Sequence, residues 1–298
     1  MRKLIVFAFI GFLAQLIDGA LGMAYGVTST SLLLAFGIVP AVASASVHLA
    51  EVVTTAASGV SHIKFGNVDK QTVYRLIIPG SIGAFVGATF LSNLPGDLAK
   101  PYISLFLLVL GVYVFTKFLF KFQPLKTKKD MSLSRKQAIP LGLVAGFADA
   151  TGGGGWGPIA TPVLLSRKGM SPRKVVGTVD TSEFAIAVSA SLGFLISLGW
   201  EEVNWLWVVA LMIGGIVAAP IAAWLVQKLH EQLMGVLVGG FIILINMRTL
   251  LDAWFESATI LPYAYAITLL IWGVAIVYTV INLKKKRQSS SHNKEIEK

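Results

Sequence analysis

The chain has 298 residues, 55% of them hydrophobic and only 13% charged, and a net charge of +10. Soluble domains carry about 25% charged residues, whereas here apolar runs of the ~20 residues that span a bilayer recur along the whole length. With a mean hydropathy of +0.74, this composition describes a polytopic membrane protein with no room for a separate soluble domain. The absence of cysteine excludes a disulfide framework and thiolate metal sites.

The opening MRKLIVFAFIGFLA has the basic start and short apolar core of a secretory leader. No small-residue cleavage site of the A-x-A kind follows, so it is read as the first arm of a broken segment over 4–36. Spans are expected at 41–62, 76–92 and 102–120, which complete a first unit, 1–125. A basic cytoplasmic linker, 126–136, leads to a second unit, 137–252. That unit opens with another broken segment, 137–166, and continues with spans at 172–198, 203–226 and 232–250. An extra helix within 253–283 and a disordered basic tail, 284–298, finish the chain.

Lys and Arg number seven in 117–136, four in 167–174, three in 63–75 and six from 283 onward. They follow the positive-inside pattern of cytoplasmic loops, which leaves no basic patch for nucleic acid. If 137–166 crossed fully, Arg167, Lys168, Arg173 and Lys174 would lie outside. If it enters and returns as two short half-helices, the signs come right. The first broken segment then enters from outside and the 36–41 turn is outside, with Arg2 and Lys3 the one misfit. Trp200, Trp205 and Trp254 fall at the outer boundary, where aromatic anchors are expected. No Lys or Arg is expected inside a span.

The two units are copies. At an offset of 131, GFLAQLIDGALGMAYGVTST (11–30) and GLVAGFADATGGGGWGPIAT (142–161) pair Asp18 with Asp149, Gly22 with Gly153, Tyr25 with Trp156 and Thr30 with Thr161. At 132, Pro40 pairs with Pro172, Glu51 with Glu183 and Gly83 with Gly215. Charge gives the copies opposite topology. Inverted repeats whose discontinuous helices meet near the midplane are the signature of secondary transporters.

Glycine costs a helix interior about 1 kcal/mol relative to alanine, and lipid offers no water to freed backbone groups. A broken helix is therefore tolerated only inside protein or along a cavity. There its N-terminal N–H groups can receive an anion, and glycines let that anion approach closely. Gly22, Tyr25, Gly26, Thr28 and Thr30 in the first break are expected to line a substrate site. Gly152, Gly153, Gly154, Gly155, Trp156 and Thr161 are expected to do so in the second. For Gly80, Gly83 and Gly87 the expectation is close helix packing.

The segment GFADATGGGGWGPIATPVLLSRKGMSPRKVVGTVDTSE resembles the sulfite exporter TauE/SafE family of bacterial membrane transporters. It carries a glycine-rich break, a proline-bearing half-helix and then GMSP; the resemblance extends over nearly all of both copies. The first copy, GALGMAYGVTSTSLLLAFGIVPAVASASVHLAE, has fewer glycines than the family's usual form. The resemblance implies transport of a small oxyanion.

Asp18, Glu51, Asp149, Asp180, Glu183 and His48 fall within the broken segments and spans. Intramembrane ionisable groups are costly and mark pathways or relays. His48 and Glu51 share a helix face at i, i+3, as do Asp180 and Glu183, and buried carboxylates can load and release protons. These six are the expected coupling residues. A rival reading makes the same acids and His48 a divalent-cation pathway, since carboxylate and imidazole suit many metals.

The sequence thus specifies an all-α membrane protein of two inverted repeats, each with a re-entrant pair and three spans, plus a final helix. It is expected to be a secondary transporter of a small anion, a sulfur oxyanion or organosulfonate, in a bacterial plasma membrane. Protons or Na⁺ are the expected coupling ions. Neither cofactor nor catalytic centre is expected.

Overall fold

A computed structural model describes residues 2–21, 23–120, 133–165, 172–226, 231–254 and 260–296. All regular structure among them is helical. The first unit contributes α1 (Arg2–Leu21), α2 (Tyr25–Ala35), α3 (Pro40–Lys64), α4 (Lys70–Ser92) and α5 (Gly96–Phe120). The second contributes α6 (Arg135–Gly152), α7 (Trp156–Leu165), α8 (Pro172–Leu198), α9 (Trp205–Val226) and α10 (Glu231–Trp254), and α11 (Ile260–Ile296) follows. Gly22, most of the basic linker, Arg167 and Lys168 lie outside the described residues.

Local chemistry sets the boundaries. Gly37, at φ 82°, turns the chain after α2, and Pro40 starts α3 at a position where its missing N–H costs nothing. Asp69 caps α4 by accepting the Thr72 N–H at 3.1 Å. Gly153, in the left-handed conformation at φ 66°, ends α6. Among the described residues, five helices are long and apolar enough to cross a membrane: Lys70–Ser92, Gly96–Phe120, Lys174–Leu198, Gln232–Trp254 and Ile260–Lys285.

The two units interlock. α4 lies along α6 and α1 lies along α9, so the first helix of each unit rests on the fourth of the other, while α5 packs on α10 and α3 on α8. Glycines make these seams close. A Cβ on Gly83 or Gly87 would come within 3.0 Å of the Leu143 or Phe147 carbonyl of α6, and one on Gly214 would strike Ala8 of α1. A Cβ on Gly80 would sit 2.7 Å from the Trp156 ring. This is the small-residue packing expected of membrane helices.

The ends of the bundle sort themselves. Phe7 stacks on Trp207 at 4.8 Å, and Gly37 and Ile38 share a cavity wall with Trp205 and Trp207, so α1 begins where α2 ends. At the opposite end Arg75 reaches the Leu133 carbonyl just before α6. There the Asp69 N–H donates to Thr178 near the start of α8 at 2.9 Å. Trp200 and Trp205 lie together at the first of these ends, with ring centroids 4.4 Å apart.

Two expectations change. The broken segments are not pairs of short half-helices, because α1 and α6 have 20 and 18 residues against 11 and 10 in α2 and α7. At 1.5 Å per residue the long arms are about 27–30 Å. Pro140 sits in the second turn of α6, no proline follows it before the glycine run, and the helix continues to Gly152. The second change is the tail, which continues α11 as helix to Ile296 where disorder was expected from 284. No Gly or Pro between 274 and 296 ends it.

Gly83→Leu should overpack the α4–α6 seam and cost about 1–3 kcal/mol, read as a lower melting temperature in detergent. Gly273→Leu, with nothing within 4 Å of an added Cβ, should be neutral within about 0.5 kcal/mol.

Candidate functional site

Each break is held by the acid that precedes it. Asp18 Oδ1 accepts the Ala24 N–H at 2.8 Å and the Tyr25 N–H at 3.2 Å, at the start of α2. Asp149 Oδ1 accepts the Gly155 N–H at 2.7 Å and the Trp156 N–H at 2.9 Å, at the start of α7. The two acids stand at equivalent positions and do the same work. Orphan N–H groups at a helix start carry partial positive charge and call for an acceptor. In this conformation these N–H groups, which the sequence assigns to a substrate, are engaged by the chain's own carboxylates.

The two breaks touch directly. Thr30 Oγ1 donates to the Gly153 carbonyl at 2.7 Å. A Cβ on Gly26 would lie 2.7 Å from the Gly153 carbonyl oxygen and from the Gly154 Cα, and one on Gly154 would strike the Val27 nitrogen. Gly154 also has φ 153°. These glycines let two backbones meet. Gly152 faces the Phe106 ring, and Gly155 stands beside the Asp149 backbone.

Trp156 is fully buried, and its Nε1–H faces the Val179 carbonyl and Ser182 Oγ, both at 3.2 Å. It anchors the start of α7 against α8. Tyr25, Thr28 and Thr161 are buried too, with hydroxyls that have no hydrogen-bond partner among the described residues. Buried hydroxyls without partners are uncommon and costly.

The expected coupling residues converge. His48 is fully buried; its Nδ1 lies 2.8 Å from the Ser44 carbonyl and its Nε2 lies 3.1 Å from Asp149 Oδ2. A carbonyl only accepts, so Nδ1 meets it as the N–H, and Nε2 is the ring nitrogen that faces Asp149 Oδ2. Glu51 Oε2 is 4.0 Å from His48 Nε2. Asp18, Glu51, Asp180 and Glu183 line one cavity together with Gln15, Tyr25, Thr54, Thr55 and Ser58. Its volume of about 10 Å³ is close to what one water needs. Among the described residues no three His, Asp or Glu side chains are set to hold a metal ion.

Three residues escaped the sequence reading. The expectation of spans free of Lys and Arg is corrected by Arg248 on α10 and by Lys117, which lies on α5, each inside an apolar candidate span. The Lys117 Nζ is 3.4 Å from Met23 Sδ, beside the first break. Grouping Lys117 with the linker charges hid it. His62, which has no role in the sequence expectations, has its Nε2 3.7 Å from Asp180 Oδ2. Its place on the face of His48, Glu51 and Thr55 was a readable signal.

The chain is similar to known proteins along nearly its whole length. The profile of the sulfite exporter TauE/SafE family matches residues 7–249. Over 280 residues, 94% of this chain and 93% of the relative, the chain is 76% identical to a probable membrane transporter protein of Bacillus subtilis (strain 168), YtnM. Two other probable membrane transporter proteins of that organism are more distant. YdhB is 29% identical over 62% of this chain and 76% of its own length, and YunE is 24% identical over 85% and 99%. No solved structure matches. The chain belongs to the TauE/SafE family and is a multi-pass membrane transporter.

Proposed function

We propose that the chain is a secondary active transporter of a small anion, coupled to protons, with a sulfur oxyanion such as sulfite or thiosulfate, or an organosulfonate, as cargo. The matched family's description as a sulfite exporter supports that class of cargo. The carrying observation is the double engagement of Asp149, through Oδ1 with the first N–H groups of α7 and through Oδ2 with His48.

That geometry makes proton and anion share one group. While Asp149 is a carboxylate it outcompetes any other anion for the Gly155 and Trp156 N–H groups. When a proton passes from His48 Nε2 to Oδ2, Oδ1 loses charge and becomes a weaker acceptor. An oxyanion can then take those N–H groups, which are oriented in advance at a helix start. The unpartnered hydroxyls of Thr28 and Thr161 supply further donors, and Lys117 supplies positive charge beside the first break. His48, left neutral by that transfer, takes up a proton from solution, so each anion arrives with a proton and net charge in the low-dielectric site stays small.

In the membrane the two units are inverted repeats. The end carrying Lys64, Arg75 and the start of α6 faces the cytoplasm, in keeping with positive-inside bias. The end carrying Gly37, Glu201 and Trp205 faces outward. Each broken pair is then a re-entrant hairpin, the first from outside and the second from inside, and the breaks meet between them.

Asp149→Asn keeps an oxygen acceptor for α7 but removes proton exchange with His48. In proteoliposomes it should keep anion counterflow within about tenfold of the unaltered protein and lose accumulation driven by a pH gradient. Undiminished gradient-driven accumulation would refute the shared-group mechanism. Cysteines placed at Phe65 and Glu201, both exposed, should be labelled from opposite faces in intact cells. Labelling of both from outside would overturn the topology.

A further inference from the structure

A polar stripe runs along α3. Ser44, His48, Glu51, Thr55, Ser58 and His62 follow at spacings of four, three, four, three and four, which keeps them on one helix face. From Ser44 to His62 the stripe is about 27 Å long at 1.5 Å per residue, close to the ~30 Å thickness of a bilayer's hydrocarbon core.

The second copy does not repeat it. At the offset of 132 the corresponding residues are Val176, Asp180, Glu183, Ala187, Ala190 and Phe194. The polar pair survives at the centre, while the hydroxyls and the terminal histidine are replaced by apolar side chains. α3 and α8 pack on each other, so these differences meet in space. His62 faces Asp180 at 3.7 Å and its side chain is 25% exposed. Phe194 stands against His48, with ring centroids 6.0 Å apart, and is fully buried. One end of the α3–α8 seam thus finishes in a histidine that reaches solvent, and the other in a phenylalanine that does not.

Between these ends lies the acid-lined cavity. Tyr25 is only 5% exposed, lines the cavity and has no hydrogen-bond partner for its hydroxyl; the same holds for Glu51 Oε2, on a residue only 2% exposed. An unpartnered phenol and carboxylate oxygen at a space of about 10 Å³ point to a single water or hydronium as the occupant.

We propose that the cavity binds one water and that, in this conformation, protons reach it only from the His62 end. The path runs from His62 through Asp180 to the water, then through Glu51 to His48 and Asp149. Resting on the proton coupling proposed above, it adds the side from which the proton is loaded. Each hop breaks one N–H or O–H bond and forms another at the next nitrogen or oxygen, and His62 regains its proton from solvent. Asp180 is the titratable group that α8 turns toward His62, and Asp18 and Glu183 flank the water beyond it. His62 lies two residues before Lys64, at the bundle end that faces the cytoplasm in the proposed topology.

The experiment compares the unaltered protein with His62→Phe, which copies the second repeat, and His62→Gln, which keeps polarity without titrating. Thiosulfate counterflow and thiosulfate-dependent proton flux are read in the same proteoliposomes. Both variants should keep counterflow within about threefold and lose proton flux at least about tenfold. Proton flux at the unaltered level in either variant overturns the path while leaving proton coupling intact. Absence of proton flux in the unaltered protein overturns the coupling itself and the path with it. Loss of counterflow in His62→Gln also overturns the path, because His62 would then serve more than protons.

Discussion

The Asp149 carboxylate is the interaction on which the rest of this structure depends. A helix broken inside a membrane protein exposes N–H groups that lipid cannot satisfy, and Asp149 Oδ1 takes two of them at the start of α7. Its other oxygen fixes His48, which ties α3 to the break; Ser44 adds a bond from the same helix to the Ala150 carbonyl. One carboxylate thereby starts α7 and orients α3. Asp18 caps α2 in the same way but faces a cavity of acids rather than a histidine. The two halves share a scaffold and differ in chemistry.

The glycines serve that scaffold. Gly26, Gly153 and Gly154 bring the two breaks together with no side chain between them, while Gly83, Gly87 and Gly214 let helices of one unit lie close along those of the other. Contacts of this kind are made by backbone and packing, so a small added side chain disrupts them at a distance from any ligand. The buried hydroxyls of Tyr25, Thr28 and Thr161 lie around this junction without partners.

Much of this was legible in the sequence, and what was not has physical reasons. The all-helical organisation and the intramembrane acids could be read because lipid imposes length and polarity rules on every span. Glu51 on α3 and Asp180 and Glu183 on α8 reach one cavity by the face periodicity of those helices, and Asp18 of α1 joins them there. Glycine chemistry was ambiguous: a gap left for an anion and a gap filled by another backbone have the same local pattern, and only tertiary contact separates them. The capping role of the acids lay six and seven residues before the N–H groups they bind, beyond the usual spacing of a cap box. The long arm α6 absorbs Pro140 in its second turn and ends only at the glycines. Lys117 was hidden by its proximity in sequence to a basic linker, although it sits on an apolar helix.

Anion and proton are proposed to meet at Asp149. Calorimetric titration of the detergent-solubilised protein with thiosulfate, repeated at one pH in buffers of different ionisation enthalpy, counts the protons exchanged per anion bound. Thiosulfate does not itself titrate near neutral pH, so the count reports the protein. Uptake of about one proton per anion is the predicted result. Binding with the same apparent enthalpy in every buffer, and therefore no proton uptake, would contradict the account.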